Sequence, residues 1–335
     1  MYFLLLAALV LTSLLIFNTL ASILATFIWR AQIAAGFVNK LTARQKSQRI
    51  FALRVFPPIA AFIFITAFLL PAYFLFEPNK SGETVSTKLI LLTSISVLGI
   101  FSAVYRVFLT WQATRRLTQN WLREAEPITI EGVSIPVYSI QHPFPVIAVV
   151  GAFRPQMFIA RQIFDSLERG EIQAAIAHEQ GHLISKDNLK RALMRFCRDL
   201  LLFHHGRQLE RAWAESAEIV ADEYAAGTGG NKMALNLASA LIKIARMVPP
   251  ETCPAMPAGA FLIAESNCDI SGRVRNLLHL TEDNSSNLNP HEFGSGINLW
   301  IYPSAVVSLI FFLAMHRSVL LAIHDGLEIV VKLLR

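Results

Sequence analysis

The sequence predicts a mainly α integral membrane protein: four transmembrane helices, with a polar α+β domain lodged between the third and the fourth. Three observations predict it. Apolar residues make up 54% of the 335-residue chain and charged residues only 16%, a balance too apolar for an ordinary soluble protein. The apolar residues gather in four uncharged runs, Met1 to Trp29, Val55 to Phe76, Leu89 to Tyr105 and Phe293 to Met315. Each run can fill a bilayer core, which needs roughly 17 to 25 apolar residues in a helix. Between the third and fourth runs the chain is polar, with short β-branched stretches followed by helical periodicity.

The elements follow in order. Met1 to Trp29 reads as a retained anchor, because it lacks the basic start and the small-residue cleavage site of a secretory signal peptide. Arg30 to Arg54 carries six basic residues and no acid, which places this loop in the cytoplasm. The N-terminus and the charge-balanced loop Glu77 to Lys88 then lie outside, and the polar middle from Arg106 to about Glu292 lies inside. We expect a membrane unit over residues 1–110 (spans near 2–29, 55–76 and 89–110), a cytoplasmic domain over 111–292, and the fourth span with a short tail over 293–335. A connector helix, Thr110 to Glu126, should lead out of the membrane. In "PITIEGVSIPVYSI" and "PVIAVVGAFRPQMFIA", Gly and Pro punctuate β-branched runs, and the second reads as two strands turning at Gly151 to Pro155. The strand "VIAVV" is either an edge that pairs with an extended peptide or an ordinary scaffold hairpin. Helical pattern runs from Asp165 to about Met247, with a break at Gly170 and Glu171 in the next first turn. Pro249 to Gly296 is mostly loop, with one short helix at "DISGRVRNLLHL". His316 to Arg335 is an amphipathic tail.

The net charge of +6 sits beside the spans, where it favours anionic headgroups. The lipid bilayer is therefore an expected partner and nucleic acid is not, since no aromatic residues interleave with the basic ones. Cys197, Cys253 and Cys268 show no metal-ligand spacing and suit a reducing compartment.

One stretch carries chemistry: "AAIAHEQGHLISKDN". On a helix His178 and His182, four apart, stack on one face, and Glu179 stands about 100° round, within reach of a water on a metal but not a ligand itself. This is the HExxH arrangement, in which two neutral imidazoles bind zinc and the carboxylate takes a proton from the bound water. With nine histidines in the chain, chance supplies the pattern about once in a hundred such sequences. A catalytic zinc needs a third protein ligand and an open fourth position. The metzincin spacing is excluded, because Ser185 and Asn188 stand where that class has Gly and His. A second helix, "WAESAEIVADEYAAG", offers acids instead: Glu218 and Asp222 share a face, as do Glu215 and Asp222, and such a stripe in an alanine-rich helix needs a cation opposite.

"HEQGH" followed by "EIVAD" resembles the gluzincin pattern HExxH…ExxAD. More widely, "VVGAFRPQMFIA", "LERGEIQAAIAHEQGHLISKDNLKRALM", "AEIVADEYAA" and "SGRVRNLL", in that order, resemble the BlaR/MecR-type membrane zinc metallopeptidases. The resemblance spans roughly Pro143 to Leu278, with three spans before it and one after. It implies one zinc ion held by His178, His182 and Glu218, Glu179 as general base and acid, and Asp222 holding a ligating imidazole. The implied activity is endoproteolysis of a protein substrate, a repressor or the chain itself, at the cytoplasmic face of the inner membrane, in regulatory signalling. Only His316 to Arg335 follows the last span, so an extracellular sensor domain and β-lactam sensing are not expected. HtpX-like quality-control proteolysis is the alternative, and a non-enzymatic signal transducer braced by zinc is another. Glu215, Glu223, Tyr224, His204 and His205 read as bystanders. The basic run Lys186, Lys190, Arg191, Arg195 and Arg198 either rests on the inner leaflet or is a solvated face.

Overall fold

The computed structural model describes residues 2–77, 86–201, 207–247, 270–282 and 312–334. Three long apolar helices form the membrane unit. Helix α1 covers Tyr2–Ala34; α2, Ala43–Phe64, runs on through a wide turn at Ile65–Leu69 into α3, Leu70–Phe76; α4 covers Thr87–Arg123. All three assemblies are long and apolar enough to cross a membrane. Thr42 starts α2 with a reciprocal cap to Gln45, and Ser86 caps α4 by accepting from the Leu89 N–H, as hydroxyl side chains do at helix starts. Their outer faces expose Leu24, Phe27, Phe62, Leu91 and Phe101, the side chains a lipid environment requires.

One sequence expectation changes here. The third span and the connector are one helix, since α4 runs 37 residues without interruption. Nothing between Tyr105 and Arg123 breaks a helix, and the change in composition marks where the membrane ends, not where the helix does. The fourth span, Phe293 to Met315, lies outside the described residues except for 312–315, which are helical. Helix α10, Arg317–Leu334, packs on α3 and on the start of α4. Its Val331 joins Leu5, Leu9, Tyr73 and Leu89, at the end of the bundle where α1 begins.

The polar domain starts with a four-stranded sheet. Strands β1 (Glu126–Ile128), β2 (Val137–Ile140), β3 (Ile147–Val150) and β4 (Gln156–Ala160) stand in the order β1-β2-β4-β3. β2 and β4 are parallel, and β3 returns antiparallel to β4 with Val149 opposite Met157. β3 is thus an edge strand, turned at the expected hairpin. Gly151 is required in that turn: its φ is 103°, and a Cβ there would sit 2.7 Å from the Arg154 carbonyl oxygen, a clash only glycine avoids.

After the short α5, Arg161–Ser166, come α6, Arg169–Ser185, and α7, Asp187–Asp199, then α8, Arg207–Met247, and α9, Ile270–Glu282. Helix α6 begins at Arg169, not after a break at Gly170. Glu168 and Glu171 cap one another's backbone at its start, and Gly170 lies inside the first turn, facing the end of the Asn236 side chain. Helices α6 and α8 pack through small residues, Ala174, Ala175, Ala221 and Ala225, all buried. The core between sheet and helices gathers Ile147, Phe158, Ile159, Ile163, Leu237 and Leu241. α8 is interrupted at Gly229 and Gly230, the latter at φ 63°, and α9 packs along it. The helix expected at "DISGRVRNLLHL" is α9.

Candidate metal centre

His178 and His182 lie one turn apart on α6 with ring planes at 88° and their Nε2 atoms 3.2 Å apart. Glu218 reaches across from α8: Oε1 is 3.6 Å from His182 Nε2 and Oε2 is 3.6 Å from His178 Nε2. One ligand atom from each of the three lies within 4.8 Å of the others, a cluster able to hold a metal ion. Each imidazole is held from behind by a different carboxylate. His178 Nδ1 is 2.9 Å from Asp222 Oδ1 on α8, and His182 Nδ1 is 2.8 Å from Asp187 Oδ2 on α7. Donation of Nδ1–H to these carboxylates turns both Nε2 lone pairs inward, as metal-binding histidines require.

The donor set fits a cation. Two acceptor nitrogens face each other, and Glu218 Oε2 is buried without an aligned hydrogen-bond donor. Arg273 Nη1 of α9 is 3.0 Å from that oxygen but off the hydrogen-bonding direction, so it supplies charge rather than an aligned bond. Arg273 is itself buried, and clamps Asp222 with bonds of 2.9 and 2.7 Å. Two imidazoles and one carboxylate match the nitrogen and oxygen set that zinc takes in hydrolases.

Electrostatics separate the carboxylates. Burial works against ionisation of Glu218 and Asp222, but Arg273 and the histidines outweigh it and hold both below the usual carboxylate range. Glu179 moves the other way: burial pushes it up, and the two histidines only partly oppose this. A carboxyl raised in this way is a stronger proton acceptor than an ordinary carboxylate. Burial lowers the His178 pKa, but bonds to Asp222 and Glu218 dominate and raise it to about 9 in the metal-free site.

A cleft of about 320 Å³ opens over Glu179, His182 and Glu218. One wall is the β3–β4 hairpin and the other the α6–α7 elbow. Asn188 joins them, donating to the carbonyls of Val149 and Gly151 at 2.9 and 3.2 Å. The Val149 N–H donates to Glu179 Oε2 at 3.1 Å, so at this residue both backbone groups on the open edge of β3 are already engaged.

The structure brings together all five residues singled out as a site, His178, Glu179, His182, Glu218 and Asp222. It leaves Glu215 exposed, and Tyr224 meets Gly181 through its Cβ instead of lining the cleft. His204 and His205 lie outside the described residues. Three residues escaped sequence reasoning: Asp187, Asn188 and Arg273. Asp187 returns to His182 because Lys186 takes a left-handed conformation, φ 54°, which ends α6 and starts α7 in a single residue.

The model of peptidase family M48 matches residues 114–217, a stretch that holds His178, Glu179 and His182 and ends one residue before Glu218. No curated protein matches the chain. Over the matched stretch, the likeness is to metallopeptidases, a metal-dependent class of hydrolase, and the three long apolar helices associate it with a membrane.

Proposed function

We propose that the protein is an integral-membrane zinc endopeptidase of BlaR/MecR-like type, hydrolysing peptide bonds of a protein substrate at the cytoplasmic face of the membrane in regulatory signalling. The observation that carries this reading is the convergence of His178, His182 and Glu218 beside a Glu179 carboxyl whose pKa is raised. Asp222 belongs behind His178 and Asp187 behind His182, each fixing one imidazole. Zinc, when bound, would polarise the scissile carbonyl and bring its water to ionise near pH 7. Glu179 takes the proton of that water and returns it to the leaving amine. Arg273 keeps Glu218 and Asp222 ionised, and Asn188 holds the hairpin wall at a fixed distance from the floor. The inward orientation of the domain rests on the six basic residues of Arg30 to Arg54.

The variant Glu179→Gln tests the reading. It should keep one metal ion per chain and lose cleavage by about 10²- to 10⁴-fold, the usual worth of a general base. Cleavage by this variant at the wild-type rate would sink the peptidase mechanism, and wild-type signalling by it would favour a non-enzymatic transducer.

A further inference from the structure

Helices α2, α7 and α8 are fastened together at one end by ion pairs. Arg54 of α2 is buried and lies 3.7 Å from Glu210 of α8, and Arg198 of α7 bridges Glu210 and Asp199 at 2.7 and 2.9 Å. Asp199 meets Arg106 of α4 at 3.6 Å. From Asp199 back to Asp187 is the length of α7, about 18 Å at 1.5 Å per residue. At that far end the helices enclose a niche of about 150 Å³, lined by Arg44, Ser47 and Gln48 of α2, Ser185 of α6, and Asp187 and Lys190 of α7, with an apolar wall from α6 and α8. Asp187 belongs both to this niche and to the cleft over the metal centre.

The niche is rich in donors. Arg44, Ser47 and Gln48 stand three and four residues apart and so share one face of α2, and Asp187 and Lys190 pair in the same way on α7. The single acid among the described lining residues, Asp187, is turned to His182, with Oδ2 at 2.8 Å from Nδ1. Lys190 Nζ approaches its other oxygen only to 3.7 Å, beyond hydrogen-bonding length. Ser47 is 7% exposed, and among the described residues its hydroxyl has no hydrogen-bond partner, nor have the Ser185 hydroxyl and the Gln48 carboxamide. A hydroxyl buried in this way is costly unless something polar meets it. The niche also lies at the first turns of two helices, α2 from Ala43 and α7 from Asp187, where the aligned peptide dipoles favour negative charge. The six basic residues of Arg30 to Arg54, with no acid among them, extend that preference into the surroundings.

We propose that this niche binds a tetrahedral oxyanion of the phosphate class, either orthophosphate or the phosphodiester of an anionic lipid headgroup. Arg44 and Lys190 supply the positive charge, and Ser47, Ser185 and Gln48 supply neutral donors. The guanidinium fork matches phosphate oxygens, and the ammonium serves as a point charge. A chloride ion would occupy a small part of the space, and a carboxylate brings only two oxygens to five donor side chains. Gln48 and Ile184 are exposed at the rim, which gives an anion a way in. Once bound, it stands one side chain removed from the imidazole of His182. This site does not depend on the peptidase reading, and its test does not use cleavage.

The full chain in maltoside detergent is titrated with radiolabelled orthophosphate by equilibrium dialysis and with dioctanoyl phosphatidylglycerol by native mass spectrometry, each at constant ionic strength. At least one of the two should bind saturably, one per chain. A preference for orthophosphate identifies a soluble ligand, and a preference for phosphatidylglycerol a headgroup; both support the site. Arg44→Gln and Lys190→Gln should each weaken binding about tenfold or more. Ser47→Ala, which removes no charge, should weaken it several-fold. Arg49→Gln is the control for charge alone, because Arg49 is exposed on the same helix and stacks on Phe37 outside the niche; it should bind as the wild type does. Unfolding in chloride shows whether each variant is folded, and Ser47→Ala decides the matter if the charge variants are not. Saturable binding of neither ligand overturns the proposal. So does binding that Arg49→Gln weakens as much as Arg44→Gln, or that Ser47→Ala leaves unchanged.

Discussion

Replacing Gly181 with alanine perturbs the centre without touching a ligand. Gly181 lies between His178 and His182 in sequence and at the closest approach of α6 to α8. An added Cβ would stand 3.0 Å from Ala221 Cα and 3.3 Å from the Cβ atoms of Ala221 and Tyr224. Those atoms belong to the backbone and first side-chain carbons of α8, so only movement of the helix that carries Glu218 and Asp222 can relieve the contact. Overpacking of this kind costs about 1–3 kcal/mol, against a gain of about 0.5–1 kcal/mol from removing a mid-helix glycine. A net loss of about 1–2 kcal/mol remains, a fall of a few degrees in Tm for a domain of this size. Zinc affinity should weaken about tenfold, the lower end of what misplaced support around a metal costs. Gly170→Ala is the control on the same helix: its Cβ meets only the end of the Asn236 side chain at 2.5 Å, which can rotate away, so its Tm should match or exceed the wild type. Thermal unfolding and chelator competition in detergent read both quantities. Gly181→Ala with wild-type Tm and unchanged zinc affinity would refute the argument that contact with α8 sets the third ligand.

Asp187→Ala should leave helix content unchanged and weaken zinc binding about 10- to 100-fold, measured by chelator competition; an unchanged affinity would mean that His182 needs no carboxylate behind it. Arg273→Gln leaves Glu218 and Asp222 buried without their cation, a loss of about 3–5 kcal/mol by analogy with broken buried pairs; zinc should restore part of it, so equal Tm losses with and without zinc would exclude a role in balancing the site. For the metal-free protein, the His178 pKa raised to about 9 implies that its stabilising contribution is complete below about pH 6.5 and lost as pH rises through about 9. Tm should therefore fall over that interval while zinc affinity rises, because the ion displaces the His178 proton; a flat profile in both would show that His178 does not titrate there.

The parts of this molecule that were legible in the sequence are those governed by local repeats. Charge-free runs marked three spans, a four-residue spacing placed two imidazoles on one face, and Gly151 with Pro155 marked the hairpin. The second helix disclosed its acids because Glu218 and Asp222 also repeat at one turn. Contacts that depend on chain reversal stayed hidden. Asp187 is five residues after His182, a spacing that shares no helix face, and it reaches the ring only through the left-handed Lys186. Arg273 lies 51 residues beyond Asp222, with no local signal that α9 would bring it back. The continuity of α4 was obscured for a different reason: where the solvent changes, composition changes, but the backbone has no cause to stop.

The ion pairs that fasten α7 and α8 to α2 and α4 turn the spans and the metal centre into one lever frame. Asp199, at the foot of α7, is tied to a span, and Asp187 at its head sets the angle of an imidazole. A 5° tilt at the foot moves the head of an 18 Å helix by about 1.6 Å. A displacement of about 1 Å in a catalytic group can change a rate about a hundredfold. A tilt of either span would thus be carried by these ion pairs to Asp187, whose carboxylate lies 2.8 Å from His182 Nδ1 and holds that ring.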